Sequence, residues 1–224
     1  MLFKNILLLT FALSALSSPL NASSNGNSYR NSAPQGEAAA PACGPNPVTC
    51  RCPKGTFYQT STSYAFYPVA AKEVTRITGH FLDTAWFGTT PNRTTGQTTT
   101  PGAKRFLWGD VPDGKSQLLI TEELTQFNAY PNDGGYYMKF QMADAPLKYT
   151  KKSGGKGLLA GSWDIVDVRE VNGHTFMLWN IYVCFGDLFD FQGFHESAMK
   201  NVTEILKKEG KINSSAQMVG PISV

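Results

Sequence analysis

Residues 191–210, FQGFHESAMKNVTEILKKEG, follow a long run of strand-forming residues and change the period of the sequence from two to 3.6. At 100° per residue, Phe191, Phe194, His195, Ala198, Val202, Ile205 and Leu206 gather on about a third of the circumference, with Glu196, Lys200, Glu204 and Lys207 opposite. A helix of about 20 residues measures about 30 Å, the width of a small domain. One long two-faced helix after a set of strands predicts a strongly curved antiparallel sheet with the helix lying in its concavity. Phe194, Ala198 and Val202 are its expected inward line. Small Ala198 marks the expected place of free space, with His195 the polar group beside it.

The strands that the helix should cover are read outward from it. In HTFMLWNIYVCF, residues 174–185, Met177, Trp179, Ile181, Val183 and Phe185 share an apolar face, while Asn180, Tyr182 and Cys184 share the other. Asn172-Gly173 joins this segment to GLLAGSWDIVDVREV, residues 157–171, as a tight hairpin turn. YYMKFQMAD, residues 136–144, alternates, with Tyr136, Met138, Phe140 and Met142 on one side and Lys139 and Gln141 on the other. SQLLITEELTQFN, residues 116–128, sets Leu118, Ile120, Glu122 and Leu124 on one face, and AKRFLWG, residues 103–109, is expected to turn Phe106 and Trp108 inward. Residues 88–102 carry loop chemistry. Before them, Val69, Val74, Ile77 and Phe81 have helical spacing after Pro68, and GTFYQTSTSYAFY reads as the first strand.

The two ends differ in kind. Residues 1–18 hold Lys4, a short apolar run and small residues near Ala15 and Ser17, the pattern of a secretory signal peptide. The run falls short of the ~20 apolar residues of a membrane span, so no stable membrane insertion is expected. Residues 19–42 are nearly free of large apolar side chains and read as a disordered leader. A Cys-containing extension, 43–56, leads into a single domain at 57–210, and 211–224 is read as a tail. An exported chain with an even cysteine count is expected to form disulfides. A Cys50–Cys52 bridge would be strained, so Cys184 is expected to pair with one of Cys43, Cys50 and Cys52. The sequons at Asn21, Asn92, Asn201 and Asn213 mark candidate glycosylation sites, with Asn92 ahead of Asn201.

Formal charge is only +3, and the 20 Lys and Arg residues are scattered, which gives no basic stripe for nucleic acid. No phosphate loop, dinucleotide fingerprint, Ser-His-Asp signature or metal-ligand spacing occurs, and neither cofactor nor metal is expected.

The order of the pieces carries a resemblance. A strand, then PVAAKEVTRITGHF at 68–81, a Gly-containing loop, PGAKRF at 101–106, EELTQFN at 122–128 and the closing amphipathic helix resemble the START-like, or SRPBCC, superfamily. That group includes birch-pollen-allergen-type proteins, lipid-transfer START domains and polyketide cyclases/dehydratases. The resemblance spans roughly 57–208; Thr75 stands where many relatives carry Trp, and the Cys-bearing extension is uncommon among them. It implies an α+β helix-grip fold: a curved antiparallel sheet around the last helix, two short helices after the first strand, and an apolar cavity under the last helix.

A secreted binder of a hydrophobic small molecule (a lipid, sterol or polyketide) is the function that follows. Its expected lining is Phe106, Trp108, Tyr136, Met138, Phe140, Met142, Met177, Trp179, Phe194, Ala198 and Val202, since aromatic and Met walls adapt to varied apolar shapes. A cyclase/dehydratase is the alternative, with Glu122 and His195 as acid/base candidates converging on one wall; His80 and Asp83 lie near the mouth. A second alternative is an exported protein acting through an exposed apolar surface.

Overall fold

The structure, a computed structural model, describes Cys43 and residues 51–224. The signal peptide, the leader, Asn21 and Cys50 lie outside the described residues. Nine strands form one antiparallel sheet: β1 (Phe57–Tyr67), β2 (Arg93–Thr95), β3 (Lys104–Gly109), β4 (Leu118–Ala129), β5 (Gly135–Met142), β6 (Leu147–Thr150), β7 (Lys156–Val171), β8 (His174–Phe185) and β9 (Val219–Ser223). Their order is β2-β3-β4-β5-β7-β8-β1-β9, with β6 paired to β7 beside this path. Helix α1 (Ala71–Thr78) and a 3-10 turn at Ala85–Phe87 follow β1, and α2 (Phe191–Lys208) follows β8. This is the helix-grip arrangement, α+β, with the two short helices where the sequence puts them.

Local chemistry explains the main joints. Asn172 and Gly173 both have positive φ, 51° and 77°, as a two-residue hairpin between right-twisted strands requires. Val171 therefore sits opposite His174, and the pairing runs on to Asp164 opposite Ile181. At the start of α2 the Asp190 side chain accepts from the Gly193 N–H at 2.8 Å, which satisfies one of the free donors of the first turn.

Three short pieces escaped the sequence reading. β2 consists of three exposed polar or charged residues inside the expected loop, β6 has four residues, and β9 comes from the segment read as a tail. β9 pairs with β1, Ser63 opposite Ser223 and Tyr64 opposite Ile222, so the domain extends past residue 210.

The core divides in two. One cluster joins α2 (Ala198, Met199, Val202, Leu206) to Tyr67, Val74, Phe81, Leu124, Tyr136, Met138 and Met177. Its polar atoms are matched: the Tyr67 hydroxyl donates to the Met199 carbonyl at 3.1 Å, and the Tyr136 hydroxyl to the Thr78 carbonyl at 2.9 Å. Burial pushes both phenols well above the ordinary tyrosine range. A second, smaller cluster is built on Val111, Met142, Tyr149, Leu159, Val183 and Phe185, with Phe189 and Phe191 against it.

Candidate ligand cavity

Between the two clusters lies a cavity of about 460 Å³. Leu107 of β3, Ile120 of β4, Met142 of β5, Ile181 and Val183 of β8 and Phe194 of α2 contribute its apolar walls. Phe87 reaches it from the 3-10 turn, whose Trp86 packs on Trp179 with ring centres 4.9 Å apart. Asn201 of α2 holds that turn in place, its side-chain amide donating to the Trp86 carbonyl at 2.9 Å.

A polar group interrupts the apolar wall. Arg105, only 2 % exposed, points inward from β3 directly opposite Glu122 on β4. Its Nε donates to Glu122 Oε2 at 2.6 Å and its Nη1 to the Phe81 carbonyl at 2.7 Å. The guanidinium lies 4.4 Å from the Phe81 ring centre and 4.6 Å from that of Phe140, so its flat faces meet aromatic rings while its edge is hydrogen-bonded. Asp164 of β7, 3 % exposed, accepts from Trp179 Nε1 at 2.9 Å through Oδ1. Burial, reinforced by the negative charge of Glu122, drives the Asp164 carboxyl well above the usual carboxylate range. Arg105, Glu122, Ser162 and Asp164 all line the cavity.

The expected residues divide accordingly. Glu122, Met142, Trp179 and Phe194 do line the cavity. Tyr136, Met138, Phe140, Met177, Ala198 and Val202 face inward as expected but belong to the closed cluster and do not line this cavity. The free volume therefore lies toward the first turn of α2 rather than at Ala198. Phe106 and Trp108 are reversed. Side chains alternate along a strand, and placing Arg105 and Leu107 inside turns these two aromatics to the other face. Phe106 lies under Arg93, 4.0 Å from guanidinium carbon to ring centre, and Trp108 is 50 % exposed, meeting the cavity only at its rim.

His195 does not converge with Glu122. It is 0 % exposed, stacked on Trp179 at 4.1 Å between ring centres, with Nδ1 3.4 Å from Ser63 Oγ and Nε2 buried without a hydrogen-bond partner among the described residues. Burial pulls its pKa down to about 3, which keeps the ring neutral. Asp83 accepts from the Ala85 N–H at 3.0 Å and so starts the 3-10 turn, while His80 lines a separate cleft of about 270 Å³.

Arg105 and Asp164 were missed by the sequence reading. The signals were there: Arg105 is the Arg of PGAKRF, and Asp164 falls in step with Val166 and Val168 on a buried face.

Cys184 bridges to Cys52, Cα atoms 5.5 Å apart, on the side of the sheet away from α2, as the alternation in β8 predicts. Cys43 Sγ stands 3.6 Å from Cys52 Sγ. Asn92 and Asn213 are exposed, whereas the Asn201 amide is engaged with the 3-10 turn. Among the described residues no helix is long and apolar enough to cross a membrane, and the Cys52–Cys184 disulfide is consistent with export.

Comparison with known proteins places this geometry. The chain is similar to the protein XoxI from Bacillus cereus, at 17 % identity over 67 % of this chain and 97 % of that one, with a TM-score of 0.45. It is similar to Ara h 8.0201 at 12 % identity, over 68 % of this chain and 99 % of that one, again with a TM-score of 0.45. No curated protein sequence matches. The family model described as START domain matches residues 58–219, from the second residue of β1 to the first of β9, and the chain belongs to that family.

Proposed function

We propose that this START-domain protein is an exported binder of a hydrophobic small molecule, of the size of a lipid chain, a sterol or a polyketide, held in the cavity at the first turn of α2. The family supports a hydrophobic ligand-binding domain. One observation carries the reading to this chain: about 460 Å³ of space walled by Leu107, Ile120, Met142, Ile181, Val183 and Phe194. That size lies within the usual range of small-molecule sites, about 300–1,000 Å³. Protein recovered from the culture medium of its own host should release an apolar compound on solvent extraction. Emptied protein should bind one equivalent of an apolar dye that Leu107→Trp excludes. Absence of both ligand and dye binding would remove the reading.

The polar cluster supports a second reading, a cyclase/dehydratase. Here Glu122 acts with Asp164, a cavity-lining carboxyl whose burial favours the protonated form that a general acid needs. His195, sealed away from the cavity, would act in it only through Trp179. Turnover of a reactive polyketide that disappears in both Glu122→Gln and Asp164→Asn would favour the enzyme over the carrier.

A further inference from the structure

The cavity wall is richer in acidic than in basic groups, with the carboxyls of Asp110, Glu122 and Asp164 and the guanidinium of Arg105. Arg105 is already engaged, with Glu122 through Nε and the Phe81 carbonyl through Nη1. Asp110 sits at the exposed rim, where Gln117 Nε2 donates to it at 3.1 Å. Asp164 is enclosed, and while Trp179 donates to its Oδ1, its Oδ2 meets no hydrogen-bond donor among the described residues. Glu122 likewise uses only Oε2 on Arg105. Two carboxyl oxygens therefore remain unmatched on one wall, with the Ser162 hydroxyl also in the lining.

We infer that the ligand is an apolar amine, bound as an ammonium ion between Asp164 and Glu122. This rests on the proposed binding function and names its ligand class. An ammonium supplies N–H donors for the unmatched oxygens and a positive charge that favours the ionised form of Asp164. A neutral hydroxyl would offer a single donor and no charge. A fatty carboxylate would add a further negative charge to an acidic wall and is disfavoured. The rings of Phe87, Trp179 and Phe194, with centres 5.5 to 5.9 Å apart, surround the same space and suit a cation as well as an apolar body. Burial and the nearby Glu122 favour the protonated form of Asp164 in the empty protein, whereas an ammonium favours the ionised form, so binding of RNH3+ passes protons from Asp164 to the buffer, up to one per amine.

Isothermal titration of the mature chain with decylamine, 1-decanol and decanoate separates the possibilities, since the three share one apolar body. At pH 7.5 the amine is expected to bind at least tenfold tighter than the alcohol, and the carboxylate more weakly than the alcohol. Repeating the amine titration in phosphate and in Tris, whose ionisation enthalpies differ, reads the protons that Asp164 releases, expected to be up to one per amine and fewer in Asp164→Asn. Asp164→Asn should bring the amine-to-alcohol affinity ratio close to one, and Glu122→Gln should lower it in the same direction. If the alcohol binds as tightly as the amine, or Asp164→Asn leaves their affinity ratio unchanged, the amine inference falls and the apolar cavity stands. If none of the three binds, the cavity reading falls with it.

Discussion

Along α2 the same helix does two different things. From Ala198 to Leu206 it is packed into the closed cluster beside the 3-10 turn, β1, β9 and α1, away from the cavity, while its first turn, at Phe191 and Phe194, borders the cavity. The closed half contains His195, neutral and sheltered; the open half contains Arg105, Glu122 and Asp164, charged or charge-coupled. Interior stability and ligand space are thus separated along one helix. Trp179 forms the partition, stacked on His195 on one side and bonded to Asp164 on the other.

The strongest way to break the open half is to remove its single cation. Arg105→Ala leaves Glu122 without its ion-pair partner on a largely buried wall, and should cost about 3–5 kcal/mol in urea unfolding. The double variant Arg105→Ala/Glu122→Ala should recover part of the loss; no recovery would mean that packing on Phe81 and Phe140, rather than charge, sets the role of Arg105. Two leucines then compare the halves directly. Leu206→Ala, in the closed half, should cost about 3–4 kcal/mol, whereas Leu107→Ala, which already borders empty space, should cost about 2 kcal/mol. Equal losses would show that the cavity wall is as tightly packed as the core.

pH should sharpen the same contrast, because the two halves respond with opposite signs. His195 has a folded pKa of about 3, below its unfolded value, so its contribution is fully present above pH 6.5. That contribution is lost as pH falls from 6.5 toward 3, by up to about 1.4 kcal/mol per pH unit. Asp164 has its folded pKa raised, so its contribution is present below the ordinary carboxylate range and is lost as pH rises through the folded value. Unfolding free energies between pH 4 and 8 should show the acid-side rise with pH flattened in His195→Gln and steepened in Asp164→Asn, because Asp164 loses stability over the window in which His195 gains it. The smallest effect is expected at Trp108→Ser, below about 0.5 kcal/mol, since that ring lies half in solvent outside both halves.

What the sequence discloses follows from how far each signal extends. The change of period at residue 191, the eight alternating residues of β5 and the Asn172-Gly173 turn are long or chemically specific, and they fixed the order of elements. β3 has six residues with aromatics at alternate positions, so apolar content alone suggests the wrong face. Its parity is legible only across the ladder, where Arg105 stands directly opposite Glu122 and so shares the face on which Glu122 lies. The position of the cavity was equally non-local: Ala198 is small, but the 3-10 turn held by Asn201 brings Trp86 and Phe87 over that stretch of helix, and the space shifts to the next turn. β2, β6 and β9 are too short to produce a periodic signal of their own.

One of those short strands bears on self-association. β1 is eleven residues long, and without a neighbour it would present a row of unpaired N–H and C=O groups, an invitation to pair with a second molecule. β9 occupies that side, and Thr62 exchanges hydrogen bonds with Val224 at 3.0 and 2.9 Å. The new margin is only five residues long and contains Pro221, which has no N–H to offer, while the opposite margin is three residues of β2. The sheet thus ends on both sides in strands too short or too poor in donors to template another chain.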